Sequence, residues 1–230
     1  MVVRSSVLTV HHLENSQSIR ILWLLEELGA PYELKMYDRD KATFLAPKEL
    51  KRISPLGTAP AITDGALTLS ESSAIIDYIL DRHGDAGFRP GPEAAERTKY
   101  LFWFHAAQGS FQLVMTVAFL LNAMKTRAPA LLRPILKAVA GKIDEAFVAP
   151  RLKALLDLAE TDLGRTTWLA GDALTAADFN MAFCMEAASA TGRLSAAKHP
   201  NCVAYLARMR ERPAYQRALA KDGKFTLNFG

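Results

Sequence analysis

The order of apolar and polar positions in the first part of the chain changes from a strand-like to a helix-like period and back. The two types alternate over residues 7–11, whereas residues 18–28 carry apolar side chains at helical spacing and stop at Gly29. A second alternating run covers residues 32–37. The pattern predicts a βαβ unit, followed by a short helix over residues 44–53 that a Ser-Pro-Leu-Gly segment ends.

A hairpin and a capped helix are predicted to follow. Two short apolar runs are joined by Asp64-Gly65, a dipeptide typical of tight hairpin turns. Pro60 stands at the head of the first run, where a missing N–H is tolerated and a cis bond can direct the preceding backbone towards a ligand. Ser70, Glu71 and Ser72 then meet a helix N-terminus, whose unpaired N–H groups and positive dipole end favour a small carboxylate. This combination indicates a binding site for a peptide-like acid.

Beyond this region almost every segment has a helical pattern. A long helix is expected over residues 93–124, and a further helical segment over residues 131–163, in which Pro150 introduces a kink. Thr175 to Asp178 form a variant of the capping box and start a buried helix. The next helix begins at Pro200.

The predicted organisation is α+β, with two domains. Residues 1–84 form an N-terminal βαβ-α-ββα domain, and residues 93–230 form an all-α C-terminal domain. Residues 85–92 are dense in turn-forming residues and lack periodicity, which is typical of a linker.

Composition and charge narrow the class of protein. The chain has 230 residues, half of them hydrophobic, so it can bury a substantial core. The net charge of +4 comes from interleaved acids and bases, and no basic run has the aromatic residues of a nucleic-acid surface. No stretch approaches the roughly 18 uninterrupted apolar residues of a membrane span, and the start lacks the apolar core of a secretion signal. We therefore expect a cytoplasmic protein that binds neither nucleic acid nor membrane.

Two cysteines and five histidines are the only residues of their types. Cys184 and Cys202 are too far apart in sequence for a redox or zinc pair, so both are expected to be buried as small apolar residues. His11 and His12 have no partner at metal-ligand spacing. The sequence predicts no metal site.

Two segments, one in each half of the chain, resemble those of a known family. The first is Ala59-Pro60 with Glu71-Ser72, and the second is Leu174 to Phe179, which follows Trp168 to Asp172. At this separation they resemble the glutathione-binding and helix-capping segments of glutathione S-transferases. The resemblance is strongest to the bacterial and fungal forms that use a serine or an asparagine. The resemblance implies a thioredoxin-like N-terminal domain, glutathione as co-substrate and a homodimer.

The resemblance also implies which residues hold glutathione. The backbone of Ala59, before Pro60, would bind the cysteinyl part, and Glu71 with Ser72 would bind the γ-glutamyl end. Thr58 departs from the family pattern, because many relatives carry a basic residue two positions before the proline. The contact with the glycyl carboxylate would then come from one of three other basic residues: Lys41, Lys51 or Arg52.

Transfer of glutathione requires its thiol to ionise at neutral pH, although a free thiol has a pKa of about 8.5. A hydrogen-bond donor to the thiolate is therefore expected between the first strand and the first helix, where the candidates are His11, His12, Asn15, Ser16 and Ser18. Ser16 is four residues before Arg20, a spacing that resembles the catalytic serine of several classes of the family. Asn15 is the alternative, because an amide can also donate and some bacterial relatives use asparagine. Ser16 could instead be an ordinary N-cap of the helix.

The electrophile would bind in an apolar pocket, for which the residues placed plausibly are His12, Phe104, His105, Gln108 and Phe111. The predicted reaction is attack of the glutathione thiolate on a small apolar electrophile. A glutathione-dependent disulfide-bond reductase or peroxidase would use the same site. A non-catalytic binding protein that keeps the fold is the third alternative.

Overall fold

A mixed four-stranded sheet organises the first half of the chain. The computed structural model describes residues 7–40, 43, 45–54, 56–223 and 225–227. The strands are β1 (Leu8–Leu13), β2 (Tyr32–Tyr37), β3 (Ala61–Asp64) and β4 (Leu67–Ser70). Their order is β2-β1-β3-β4, with β1 parallel to β2 and the other pairs antiparallel. The predicted βαβ unit and the hairpin around Gly65 are confirmed.

Three helices complete the predicted βαβ-α-ββα order: α1 (Ile19–Leu28), α2 (Lys48–Ile53) and α3 (Ser72–His83). Every residue of α1 from Ile19 to Leu25 is buried, so this helix lies inside its unit. It ends where predicted, at Gly29, whose left-handed φ of 60° is the conformation that glycine adopts at a helix end. α2 begins at Lys48, after Pro47, and is shorter than predicted. Phe44, the predicted start, lies outside the described residues.

The C-terminal end of the chain returns to this first unit. Helix α10 (Pro213–Asp222) packs on α1, where Tyr215 meets Trp23 edge to face at 5.2 Å between ring centroids. Arg212 forms an ion pair with Glu27. The first compact unit therefore comprises Met1–Arg89 and Arg208–Thr226. This differs from the predicted division, which assigned all of residues 93–230 to the helical domain, because helical periodicity does not specify the unit against which a helix packs.

The second unit is helical and comprises Pro90–Ala207 and Leu227–Gly230. Its helices are α4 (Arg97–Ala106), α5 (Leu113–Arg127), α6 (Arg133–Ile143), α7 (Ala149–Leu163), α8 (Ala176–Ala190) and the greater part of α9 (Pro200–Glu211). Short π-helical segments, Ala107–Gln112 and Asp144–Val148, join α4 to α5 and α6 to α7. The second ends at Val148, two residues before Pro150, which lacks an N–H for the regular helical hydrogen bond. A departure from regular α-helix thus lies close to Pro150, whereas the kink itself stays a prediction.

The centre of this unit is α8, in which every residue from Ala176 to Ala188 is buried. The predicted capping box starts it: Asp178 accepts hydrogen bonds from the backbone N–H and the hydroxyl of Thr175, at 2.9 and 3.0 Å. Its other carboxylate oxygen accepts the N–H of Leu169 at 3.1 Å. Cys184 and Cys202 are both buried and unbridged, as expected.

One helical stretch, Arg97–Arg127, is long and apolar enough to cross a membrane by length and composition, although 39% of its most apolar window is buried. Core helices of soluble proteins pass the same test. The stretch is weak evidence for a membrane span.

Candidate functional site

The first part of the site is built around Pro60, at the head of β3. The Ala59-Pro60 bond is cis, and Ala59 is buried. Ala61, the first residue of β3, pairs with His11 of the neighbouring strand β1, which fixes the segment against the centre of the sheet. The hydroxyl of Ser54, which follows α2, is hydrogen-bonded to that of Ser70, at the end of β4, at 2.9 Å. This bond ties the segment before Pro60 to β4.

The N-terminus of α3 lies directly after β4 and carries an unsatisfied polar group. The side chain of Ser72 is 2% exposed, and its hydroxyl oxygen has no hydrogen-bond partner among the described residues. Glu71, the preceding residue, is exposed and has a φ of 77°, a conformation that is costly for a residue other than glycine. Its side chain forms no capping hydrogen bond. A buried hydroxyl therefore lies in the first turn of a twelve-residue helix, where the positive end of the helix dipole favours an anionic ligand.

The second part of the site is the loop between β1 and α1. Ser16 and Ser18 are both buried, and their hydroxyl oxygens lie 2.6 Å apart in a hydrogen bond. The N–H of Ser18 also donates to the Ser16 oxygen, at 3.3 Å. Ser18, not Ser16, occupies the N-cap position of α1, and it has no side-chain capping bond.

Asn15 lies in the same loop, in a left-handed conformation with a φ of 50°. Its side-chain oxygen accepts the N–H of Thr226 at 2.7 Å, and its backbone oxygen accepts a hydrogen bond from Arg39. The structure thus brings both candidate thiolate donors, Ser16 and Asn15, to the loop that precedes α1. The carboxamide oxygen of Asn15 is engaged by Thr226.

A buried chain of hydrogen bonds leads away from Ser18. Its hydroxyl oxygen lies 2.8 Å from Nδ1 of His12, and Nε2 of that ring lies 2.7 Å from a carboxylate oxygen of Asp222. The side chains of His12 and Asp222 are both fully buried. His12 is therefore part of the interior of the first unit and does not line a substrate pocket as predicted, because both ring nitrogens are occupied.

Two of the other residues predicted for the electrophile pocket are core residues of the helical unit. Phe104 and Phe111 are 2% and 0% exposed, and Phe104 stacks on Tyr100. The backbone oxygen of Phe104 accepts a hydrogen bond from Asn180 of α8. His105 is exposed, and Gln108 is half-buried with a hydrogen bond to Asn180. Helical spacing identified the apolar side of this helix, but the contact with α8 buries the side on which Phe104 and Phe111 lie.

The basic residues considered for the glycyl carboxylate are placed differently. Lys51 and Arg52 are exposed near the end of α2, and Thr58 is exposed before Pro60. Lys41 lies outside the described residues. No cluster of three or more potential metal-ligating residues occurs in the described part of the chain.

Sequence reasoning named Ser18 among the candidate donors of this loop but missed Asp222, which belongs to the same hydrogen-bonded chain. One local signal was available for Asp222: it is an acid in the last turn of a helix, where the negative end of the helix dipole disfavours it. A residue that breaks a local rule is often functional or compensated by a distant partner. Here the partner is His12, 210 residues earlier in the chain.

Comparison with known proteins agrees with this geometry. The family model described as "Glutathione S-transferase, N-terminal domain" matches residues 16–82, and "Glutathione S-transferase, C-terminal domain" matches residues 123–213. Glutathione S-transferase 3 of Schizosaccharomyces pombe is 33% identical over 224 residues, which cover 96% of this chain and 91% of that protein. The chain belongs to the glutathione S-transferase family.

Further transferases support the assignment. Glutathione S-transferase 1 of Saccharomyces cerevisiae is 31% identical over 79% of this chain and 81% of its own. The crystal structure of a glutathione S-transferase from Actinobacillus pleuropneumoniae is 32% identical, covers 97% of this chain and 95% of its own, and superposes with a TM-score of 0.75. The predicted family and fold class are confirmed, and the reaction class is that of a glutathione transferase.

Proposed function

We propose that this transferase conjugates glutathione to small apolar electrophiles in the cytoplasm, as a homodimer. The observation that carries the proposal is the buried, unpartnered hydroxyl of Ser72 at the N-terminus of α3. A buried polar group without a partner is uncommon in a folded protein, and at a helix N-terminus an anionic ligand would satisfy it. Glutathione is the co-substrate, and its γ-glutamyl carboxylate accepts hydrogen bonds from the Ser72 hydroxyl and the first N–H groups of α3.

The rest of the tripeptide is placed by the neighbouring elements. The backbone of Ala59, at the start of β3, binds the cysteinyl part, and Glu71 faces the γ-glutamyl amino group. Lys51 or Arg52 provides a positive charge for the glycyl carboxylate. Each contact is made by a residue at the end of a strand or helix of the first unit, which supports binding in one defined orientation.

Chemistry then occurs at the cysteinyl sulfur. Ser16 donates a hydrogen bond to the thiolate, which also benefits from the positive end of the ten-residue helix α1. The thiolate attacks the electrophilic carbon, a carbon–sulfur bond forms, and the leaving group departs with the electron pair of the broken bond. Ser16 is the first candidate because its spacing before Arg20 resembles that of the family's catalytic serine. Asn15 is the second, since the N–H of Thr226 engages only its carboxamide oxygen and its NH2 group can still donate.

The experiment is a titration of bound glutathione by its thiolate ultraviolet absorbance, in wild type, Ser16→Ala and Asn15→Ala. Wild type should lower the thiol pKa below its free value of about 8.5. Ser16→Ala should restore that value and reduce kcat at neutral pH, while the KM for glutathione stays nearly constant because the other contacts remain. An N-cap role would instead lower stability by about 1 kcal/mol and leave the titration unchanged.

Other outcomes assign the function differently. If only Asn15→Ala shifts the titration, Asn15 is the thiolate donor. If the thiolate forms but no activated aryl halide is conjugated, while disulfides or peroxides are reduced, the protein is a glutathione-dependent reductase or peroxidase. Glutathione binding with no thiolate and no turnover would identify a binding protein that keeps only the fold.

A further inference from the structure

A continuous, buried chain of hydrogen bonds connects Ser16, the proposed thiolate donor, to Asp222 at the end of α10. It runs from Ser16 to Ser18 at 2.6 Å, from Ser18 to Nδ1 of His12 at 2.8 Å, and from Nε2 of His12 to Asp222 at 2.7 Å. These distances are those of ordinary to strong hydrogen bonds. The four residues are at most 5% exposed. This chain of hydrogen bonds therefore connects the proposed reaction centre to a base, His12, that solvent does not reach.

The roles of the ring nitrogens follow from the partners. An ionised carboxylate only accepts hydrogen bonds, so Nε2 of His12 carries a proton and donates it to Asp222. In the neutral ring, Nδ1 is then an acceptor. The Ser18 hydroxyl donates to it at 2.8 Å in preference to the backbone oxygen of Leu13, which lies farther away at 3.5 Å. The Ser16 hydroxyl donates in turn to Ser18, which leaves a Ser16 lone pair to accept the thiol proton of glutathione. In this state every hydroxyl points towards the histidine.

We propose that this chain is a proton relay that ionises glutathione, with His12 as the final acceptor; the inference rests on the proposed function of Ser16. Three protons each move by one position. The thiol proton passes to Ser16, the Ser16 proton passes to Ser18, and the Ser18 proton passes to Nδ1 of His12. The products are a thiolate and an imidazolium, so the net charge of the complex is unchanged. The Ser16 hydroxyl now points outwards and donates to the thiolate.

One carboxylate, that of Asp222, contacts the His12 ring and can pair with the positive charge that the relay creates there. Asp222 lies in the last turn of α10, so the negative end of the helix dipole adds to its own negative charge. Asp222 and Ser18 are the polar groups that bind the ring among the described residues. Met36 is its partner on β2 and does not titrate. His11, the neighbour in β1, is engaged by Tyr37 and Thr63, and burial and Lys35 lower its pKa.

Asp222 and His12 are positioning residues that act through Ser16, and variants can isolate their effect. Asp222→Asn keeps the shape of the side chain but removes the charge. If its amide donates to Nε2, the remaining ring proton moves to Nδ1, which can no longer accept from Ser18. We expect Asp222→Asn and His12→Asn to raise the pKa of the bound thiol by about one unit, which lowers kcat at neutral pH about tenfold. The rate should recover as pH rises, with little change in the KM for glutathione.

His11→Asn is the matched control. His11 is 3% exposed, lies in the same strand and has two hydrogen-bonded ring nitrogens, but it has no bond to Ser16 or Ser18. A general loss of packing in β1 would affect both histidine variants alike. The relay predicts a shifted thiol titration for His12→Asn and an unshifted one for His11→Asn. Equal shifts in both variants would overturn the proposal.

The deciding measurement uses wild-type protein and needs no variant to fold. Nitrogen NMR of the labelled His12 ring is recorded at neutral pH without ligand, with glutathione and with S-methylglutathione, which has no thiol proton. The ring should be neutral without ligand, cationic with glutathione and neutral with S-methylglutathione. A ring that is cationic from the beginning, or neutral throughout, would overturn the relay.

Failure of the relay is distinguishable from failure of the proposed function. If wild type neither binds glutathione nor lowers its thiol pKa, the proposed function is wrong, and the relay with it. If wild type does both and Ser16→Ala abolishes the shift, while Asp222→Asn and His12→Asn preserve it, only the relay is wrong.

Discussion

Ser72 carries a buried hydroxyl at a helix N-terminus, a position that suits a ligand. Its hydroxyl is removed from water but has no partner among the described residues, although a buried hydroxyl without a hydrogen bond costs about 1–3 kcal/mol. Because it lies in the first turn of α3, at the positive end of the helix dipole, an anion is the expected partner. Sequence alone predicted this location, because the hairpin and the helix start are both local patterns.

The prediction at this scale is that Ser72→Ala weakens glutathione binding about 10- to 100-fold, the loss of one hydrogen bond to a charged group, about 1–3 kcal/mol. Titration calorimetry measures the dissociation constant. Ser73→Ala is the control, since Ser73 lies in the same turn but is only partly buried. Equal affinities of wild type and Ser72→Ala, with both proteins folded, would remove Ser72 from the binding site.

At the scale of elements, the contact between α1 and α10 completes the first unit. Trp23 of α1 and Tyr215 of α10 are both fully buried and meet edge to face. At the exposed side of the contact, Glu26 binds Arg217 and Lys221. The two basic side chains are about half exposed, so solvent screens these ion pairs, and the fully buried aromatic contact supplies more of the attraction. The same contact places Asp222 beside β1.

We predict that Tyr215→Ala lowers the free energy of unfolding by about 3–5 kcal/mol, because the cavity next to Trp23 cannot close completely. Denaturation by urea measures the change. Gln216→Ala changes the next residue on the exposed side of the same helix and should remain within about 0.5 kcal/mol of wild type. A loss of similar size in both variants would show that the buried contact is not responsible, since alanine is the best helix former and propensity cannot account for the Tyr215→Ala loss.

At the scale of the whole molecule, stability depends on the protonation of a carboxyl that is central to the helical unit. Burial raises the pKa of Asp178 to about 6, although hydrogen bonds from Thr175 and Leu169 oppose the increase. An exposed aspartate has a pKa of about 3.9. Between these values the folded protein holds a proton that the unfolded chain has released, so this group adds stability as pH falls through about 6.

The expected result is that wild type gains about 1 kcal/mol relative to Asp178→Asn when the pH changes from 7 to 5, since the asparagine does not titrate. Urea unfolding at both pH values measures the difference. His11, whose lowered pKa makes the protein less stable in acid, is present in both proteins, and its effect cancels in the comparison. Parallel pH dependences of the two proteins would contradict the raised pKa of Asp178.

The sequence by itself determined the elements and the positions of the local motifs. Periodicity located β1, α1 and β2, and turn chemistry located the hairpin at Asp64-Gly65, because both signals arise between residues close in the chain. The capping box at Thr175 and the helix start at Ser72 were predictable for the same reason. The candidate thiolate donors came from the resemblance to the family, which the spacing of Ser16 and Arg20 carries.

The tertiary structure decided which of these elements share a unit and which polar groups meet. Helical periodicity in the last residues was compatible with either unit, and only packing placed α10 on α1. That packing brings Asp222 to His12 across 210 residues of chain and removes His12 from the predicted pocket. It also buries Phe104 and Phe111 against α8. Contacts at such separations depend on how whole surfaces fit together, and no local pattern of residues encodes that fit.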